Sequence, residues 1–575
     1  VKVLDVELSR SYRRTVSSGY PVVGIDSESL TTGYAFLICD SGGRHVWIRS
    51  FDDVVKFFDH EEYAYCLLVA FNLDFDAGVM LKWMGEELCT ELITTGRVNA
   101  GSVSVQYVPT KYLQLRYGNM FIRLFDIQQF FQGSLDWNAK QYLHASKTHV
   151  DSKSFTTKHY GSQEVLMYCA HDAVLAQGLG EYVTRAFEKI GVAVGSLASP
   201  ASIVETYILD QLGVRNTVGR DSTGMLEFSV RAFDGAWFEN FKAGTFDKTY
   251  RYDLVSAYPS VIRNLVDLSL GYFVNSVKRP KNALYGREHA TVTVPKTYIS
   301  PLVFRNTSGA DMRPYGTWTR YWPSQVLDWA REHKCRVTTH DAWWFIPYEK
   351  VYKFRKGVDK FFAIKRDSTS DSMEAWSAKI GLSGIYGKFL QHRDNKGGRL
   401  YNPLYAGEIT SDVQLMVADA CLNEPEAVIA VMSDCVNACA PLKLDVGRNM
   451  GQWKMSGPGT SLWIGPAQYE AEGRDVRFRK IPWKSLLEKN PTSAAYEVVR
   501  SSPLSLVQGV RQNRFEDVGV FRDASVKFDI CKLNWRRFWP ERPKCGGELL
   551  HNTYDSVQLH VSSRLREEDM RLWEL

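Results

Sequence analysis

The stretch TYRYDLVSAYP, Thr249 to Pro259, decides how the chain is read. Its first half is aromatic and β-branched and suits a strand. Ser256 and Pro259 then mark a turn. Asp253 is thus a carboxylate held just before a turn, with Ser256 and Tyr258 following in close register.

Far downstream, AVIAVMSDCV and then ACAPLKLDV read as strand, turn and strand. Asp434 is a single carboxylate inside that apolar run. Desolvating an unpaired carboxylate is costly, so Asp434 requires a partner. Between the two aspartates lies Lys379-Ile-Gly-Leu-Ser383-Gly384-Ile-Tyr386-Gly387-Lys388, a helical pattern with Lys379, Ser383 and Tyr386 on one face. Each of its glycines at 381, 384 and 387 is unfavourable in a helix by roughly 1 kcal/mol relative to Ala. Their spacing makes sense if something packs closely against that face. Lys365, in AIKRD, lies on a preceding Lys-rich helix that on its own is a solvated face.

Upstream, YPVVGIDSES, YAFLICD, YCLLVAFN and MFIRLFDI read as strands. A helical stretch follows from about Ser162 to Lys189, so the first 190 residues have an α/β layout. Asp26-Ser27-Glu28 ends the first of these strands, and alternation points Asp26 and Glu28 to the same side. Two carboxylates held together suit a divalent cation such as Mg²⁺. Asn72-Leu-Asp-Phe75-Asp76 closes the next strong strand. Tyr168 and Asp172 share one face of the helix. Each piece alone is weak: a DxE pair is often a solvated strand end, and YxxxD is often plain helix surface.

Composition is that of a soluble globular protein, with 45% hydrophobic and 23% charged residues, 16 Trp and 29 Tyr. A net charge of +5 permits a polyanionic partner without demanding one. The ten cysteines form no paired CxxC pattern, which argues against structural zinc and for buried free thiols. The opening VKVLDVELSRSYRRTV lacks the apolar core of a signal peptide, and no run approaches the roughly 18 apolar residues of a membrane span. The expected location is the cytoplasm, that of a host cell if the chain is phage-encoded.

The order DxE, NxxFD, YxxxD resembles the three motifs of proofreading 3′–5′ exonucleases with the ribonuclease-H-like fold. The resemblance implies that Asp26, Glu28, Asp76 and Asp172 bind two metals, Tyr168 orients the attacking water, and Asn72 and Phe75 hold the strand end and the DNA. YDLVSAYP resembles motif A of family B DNA polymerases, which implies a metal-binding Asp253, a nucleotide contact at Ser256 and a sugar-stacking Tyr258. The Lys379–Lys388 run resembles motif B, with Ser383 for Asn and Gly384 for Ser. It implies triphosphate contacts at Lys379 and Lys365, Tyr386 at the nascent base pair, and that base pair packed on the glycine face. VMSDCV stands where motif C reads DTD, with Met432 replacing the first Asp and Asp434 retained as the second. Phe233-Asp-Gly235-Ala236 resembles the element that couples the two activities on DNA. Ala467-Gln-Tyr469 stands where the family has KxY, which implies a primer-strand contact at Tyr469 without the lysine.

Compact length and the spacing of these motifs resemble the protein-primed branch found in small phages, linear plasmids and some viruses. The implied fold is multidomain, α/β and α+β: a ribonuclease-H-like exonuclease domain followed by a right-hand polymerase of palm, fingers and thumb. The expected division is exonuclease 1–195, first palm segment 196–260, an insertion of the terminal-protein-region type 261–347, fingers 348–391, second palm segment 392–475, and thumb with tail 476–575. A short polar stretch, 391–401, stands where the branch carries a long β-hairpin. The basic aromatic runs 474–484 and 532–544 suit duplex backbone, or equally a solvated surface with core aromatics. The resemblance further implies Mg²⁺ or Mn²⁺, two ions per site, with primer-template DNA, deoxynucleoside triphosphates and a terminal protein as partners of a monomer. The alternative is an exonuclease, or a DNA-binding protein, with a degenerate, inactive palm.

Overall fold

The structure is a computed structural model that describes residues 7–8, 19–30, 36–148, 150, 155–215, 222–297, 299–306, 309–369, 372–393, 396–472, 481–530 and 536–561. Val22–Ser29 is the organising strand of the N-terminal half. It pairs antiparallel with Phe36–Asp40 and parallel with Leu67–Ala70, which in turn runs parallel to Met120–Asp126. Eight strands form this sheet. The helix Gln163–Lys189, capped by the Ser162 side chain, lies across it. Gly24 makes that packing possible: a Cβ there would collide with the carbonyl oxygen of Ala173. The same contact brings Asp172 down beside Asp26.

The second half is built on Lys242–Leu254, a strand long enough to pair along its length with Cys435–Ala438, Trp453–Gly465 and Thr553–Asp555. Its sheet is seven-stranded and antiparallel, with Val428–Met432 and Phe238–Asn240 beyond Cys435–Ala438. The long helix Pro403–Asn423 packs beneath it, buried along most of its length. Between the sheet's first and later strands the chain makes a four-stranded antiparallel sheet from Gly271–Asn275, Tyr285–Val294, Gly316–Pro323 and Arg336–Pro347. The fully buried Arg287 of this insertion is paired with Glu408 at 2.5 Å, which ties it to the long helix.

Two helices follow the insertion, Arg355–Asp367 and Met373–Lys388, packed on each other. The polar stretch after them is a hairpin of only two residues per strand, His392–Arg393 with Lys396–Gly397. Near the C-terminus, Ala495–Pro503 pairs with Phe521–Asp529. The tip between them, with Leu506, Phe515 and Val518, joins the hydrophobic core of the N-terminal half. Among the described residues no helix is long and apolar enough to cross a membrane.

One expectation is corrected here, and one open alternative is narrowed. The glycine face of Met373–Lys388 does not await a base pair: Gly381 abuts Val204, and a Cβ on Gly384 would lie 2.8 Å from that of Ala201. Both belong to the helix Pro200–Thr206, so these glycines serve a helix–helix contact, while Gly387 faces open space. For the basic aromatic runs, the described residues agree in part with the alternative of core aromatics. Arg537 is buried and paired with Glu239 at 2.9 Å, and Trp483 and Trp539 lie in a core. Residues 474–480 and 532–535 fall outside the described residues.

The helix contact is directly testable by thermal melting. Gly384→Leu overpacks it and should cost about 1–3 kcal/mol, read as a clear fall in Tm. Gly387→Ala meets nothing and should leave stability unchanged or raise it by up to about 1 kcal/mol, read as an equal or higher Tm. Equal responses of the two variants would refute the assignment.

Candidate polymerase and exonuclease centres

In the N-terminal half, Asp26, Glu28 and Asp172 present carboxylate oxygens all within 4.8 Å of one another. The strand supplies two of them by alternation and the helix supplies the third. Asp26 Oδ2 and Asp172 Oδ1 are buried with no hydrogen-bond partner. Burial, then Asp76, Glu28 and Asp172, push Asp26 well above the ordinary carboxylate range. Burial likewise pushes Glu28 up to about 8 and Asp76 up to about 7. Asp76 sits one step aside in the helix Leu73–Leu81, where its Oδ1 accepts a 2.6 Å hydrogen bond from Ser27 Oγ. Tyr168 is one helical turn from Asp172, its ring facing the Lys147 ammonium at 4.8 Å.

Lys147 went unread in the sequence and is the single cation paired with this cluster among the described residues, bonded directly to Asp172. Burial opposes its charge, but Asp172 outweighs burial and holds it above the ordinary lysine range. A lone lysine in a loop carries no periodic signal, so nothing local marks it. Asp126 was also missed. It ends Met120–Asp126, in FDIQQF, and its buried carboxylate accepts from the amides of Asn72 (3.2 Å) and Gln128 (2.9 Å). It thereby holds Asn72, whose φ of 71° is left-handed, at the start of the Asp76 helix. Asn72 itself is exposed, and Phe75 packs partly buried on the core. Asp74 is pinned away from the cluster by Tyr107 (2.6 Å) and the Thr110 amide (2.7 Å).

In the C-terminal half, Asp253 lies directly opposite Cys435, and the Leu254 amide donates to the Asp434 carbonyl at 3.0 Å. The two carboxylates that the sequence separates so widely therefore face one site. Burial, then repulsion from Asp253, raises Asp434 above its ordinary range. Asp434 follows Ser433, a left-handed turn residue with φ of 61°. The Ser433 amide donates to the Trp237 carbonyl at 2.6 Å, and its hydroxyl meets Tyr258 Oη at 2.8 Å. Tyr258 stacks on Tyr386 with ring centroids 4.5 Å apart. Lys365 Nζ donates to Ser256 Oγ at 2.7 Å. Burial, with Lys379 and Lys454 close by, pulls Lys365 below the ordinary lysine range. Lys379 and Ser383 are exposed on the open side of their helix. Three ammonium groups thus converge beside two carboxylates, an arrangement that can hold a polyphosphate.

The remaining expected residues are more constrained. Phe233 is partly buried and its carbonyl accepts from Arg305, while Gly235's carbonyl accepts from Gln414 at 2.5 Å. Tyr469 is only 4% exposed, its ring stacked on Trp463 at 4.3 Å within the sheet core. It lies within electrostatic reach of Arg251. Arg251, not singled out in the sequence, grips both oxygens of Asp253; the i, i+2 alternation of TYRYD would have revealed it.

An α/β half with a ribonuclease-H-like sheet, followed by a right-hand half with palm, fingers and thumb, defines the class of fold. The particular fold is that of Phi29 DNA polymerase. Its complex with primer-template DNA and incoming nucleotides superposes with a TM-score of 0.64 at 14% identity, covering 89% of this chain and 100% of that one. Its complex with single-stranded DNA gives 0.61 at 13% identity and the same coverage. A DNA polymerase of Acidianus bottle-shaped virus (isolate Italy/Pozzuoli) is 25% identical over 321 residues, 53% of this chain and 48% of that protein. The chain therefore spans about half the length of that relative. No family model matches the chain.

The raised carboxylates make metal-free stability pH-dependent. Unfolded carboxylates titrate near about 4, whereas Glu28 in the fold titrates at about 8 and Asp76 at about 7. Across that interval the unfolded chain sheds protons that the folded chain keeps, so stability falls as pH rises. In chelator, Tm should decline from about pH 5 to about pH 8, and Mn²⁺ should restore more at the upper end. A Glu28→Gln, Asp172→Asn variant should flatten the decline. A flat Tm for the unmodified chain would count against this cluster.

Proposed function

We propose that the chain is a DNA-directed DNA polymerase with 3′–5′ proofreading exonuclease, primed by a protein, serving a linear phage, viral or plasmid genome. The observation that carries this is the meeting of Asp253 and Asp434 beside Lys365, Tyr258 and Tyr386, at a site separate from the Asp26–Glu28–Asp172 cluster. The proposed division is exonuclease 1–195, palm 196–260 and 392–475, insertion 261–347, fingers 348–391 and thumb from 476. The four-stranded insertion is the proposed contact for a priming terminal protein.

The donor sets are hard carboxylate oxygens, which suit Mg²⁺ or Mn²⁺, and the two orphaned oxygens in the exonuclease cluster want a cation. Bound divalent ions would activate the attacking oxygen and neutralise the leaving one at each site. Asp26, Glu28, Asp76 and Asp172 would hold them in one centre, Asp253 and Asp434 in the other. Lys147 keeps Asp172 oriented, and Tyr168, one turn away, would orient the attacking water. In the polymerase centre, Lys365 and Lys379 bind the triphosphate. Tyr258, locked by Ser433 and stacked on Tyr386, closes the space where a ribose 2′-hydroxyl would enter. Phosphoryl transfer needs positioning and charge neutralisation more than acid–base groups, so two carboxylates suffice.

Primer extension and primer degradation with Mg²⁺ separate the functions. Asp434→Ala should lower extension by at least about 10³-fold while sparing degradation, and Asp26→Ala should do the reverse. A wild-type chain that degrades but never extends would establish an exonuclease with an inert palm. One that does neither would establish a DNA-binding protein.

The two-residue hairpin at 392–397 predicts weak strand displacement by the isolated chain. Extension past a nick should stall near the displaced 5′ end. Efficient rolling-circle synthesis would refute that.

A further inference from the structure

Arg251 belongs to no motif that the proposed function uses. It stands two residues before Asp253 on the same strand, so both side chains project from one face. Its Nε lies 2.8 Å from Asp253 Oδ2 and its Nη2 lies 2.6 Å from Oδ1. Both oxygens of the proposed metal-binding carboxylate are therefore occupied by one guanidinium in a forked, charge-assisted pair. Less than a third of either side chain is exposed, so water screens the pair only partly.

A divalent ion at Asp253 needs at least one of those oxygens. The other carboxylate available to it is Asp434, because Met432 occupies the neighbouring place in the turn. Lys454, directly across the sheet from Asp253, adds a further positive charge on the opposite flank. The polymerase centre is thus poor in negative charge and already carries a bound cation of its own. The exonuclease cluster has the reverse balance, four carboxylates facing Lys147.

We propose that Arg251 is a positioning residue that clamps Asp253 in the metal-free polymerase centre and competes with the divalent ion for that carboxylate. A divalent ion at Asp253 would have to displace the guanidinium, so Asp253 and Asp434 alone would hold it weakly, and phosphate oxygens of an incoming nucleotide would supply the remaining ligands. The clamp also explains how Asp253 keeps its orientation at a strand end when no metal is present. The inference rests on the polymerase reading of Asp253 and Asp434.

The test is Mn²⁺ binding followed by electron paramagnetic resonance, with the exonuclease cluster silenced by Asp26→Ala and Asp172→Ala. In that background Arg251→Met should bind Mn²⁺ about tenfold more tightly at the polymerase centre. Arg251→Lys, which keeps the charge but loses the fork, should fall between. In primer extension by chains with an intact exonuclease cluster, the Mn²⁺ concentration for half-maximal rate should fall in the same order. Unchanged or weaker Mn²⁺ binding by both folded variants overturns the clamp. An Asp434→Ala control distinguishes the two levels of inference. If it leaves Mn²⁺ binding of the silenced chain unaltered, the metal reading of the centre fails and the clamp falls with it. If it abolishes binding while Arg251→Met changes nothing, the clamp alone fails.

Discussion

The hydrogen bond from the Leu254 amide to the Asp434 carbonyl closes the seam on which the C-terminal half depends. It joins the end of Lys242–Leu254 to the tight turn after Val428–Met432, and two carboxylates that repel each other are held face to face as a result. The long strand is fixed from both flanks by ladders to Cys435–Ala438 and Trp453–Gly465, and its far end by Thr553–Asp555. The turn is fixed separately, by the Ser433 amide on Trp237 and the Ser433 hydroxyl on Tyr258. Ser256 and Ser433, in the two loops that meet, both adopt left-handed backbone conformations, at φ of 52° and 61°. The sheet and the buried helix beneath it over-determine that geometry.

The N-terminal half solves the same problem with a different contact. There, glycine at position 24 lets a helix backbone touch a strand, and Asp172 is delivered to Asp26 and Glu28 by that approach. The hydrophobic core then couples the halves. Leu506, Phe515 and Val518, from the tip of the C-terminal hairpin, pack into the core beneath the first sheet, so the two centres sit on one continuous scaffold.

What could be read in advance follows the range of the interaction. Strands, the helix from about Ser162 to Lys189 and the paired Asp26 and Glu28 are written in local periodicity, and these stand in the structure. The partnership of Asp253 with Asp434 is not local, and became legible only through the resemblance of the surrounding residues to known motifs. Lys147 and Asp126 are single residues whose roles depend on distant partners, so no spacing announces them. The glycines of Met373–Lys388 show a subtler limit. Their spacing correctly signals a close approach, but not by what, and the neighbour is the helix Pro200–Thr206. Tyr469 was expected only from the resemblance of Ala467-Gln-Tyr469 to a known element, and its stacking on Trp463 depends on strand pairing that no local pattern shows.

The two centres differ most in charge, and that difference bears on how one chain could run the two opposed reactions proposed for it. In the first, four carboxylates face one ammonium, and burial pushes several of them up the pH scale. Such a cluster is unstable as an anion and gains most from cations that arrive unaided. In the second, two carboxylates are surrounded by Arg251, Lys365, Lys379 and Lys454. That centre is already compensated, and what it lacks is a polyanion. Hydrolysis needs only metal, water and a DNA end, whereas synthesis also needs a triphosphate. The charge balance of each centre therefore matches what its proposed reaction would have to recruit: metal first in the one, nucleotide with its metal in the other.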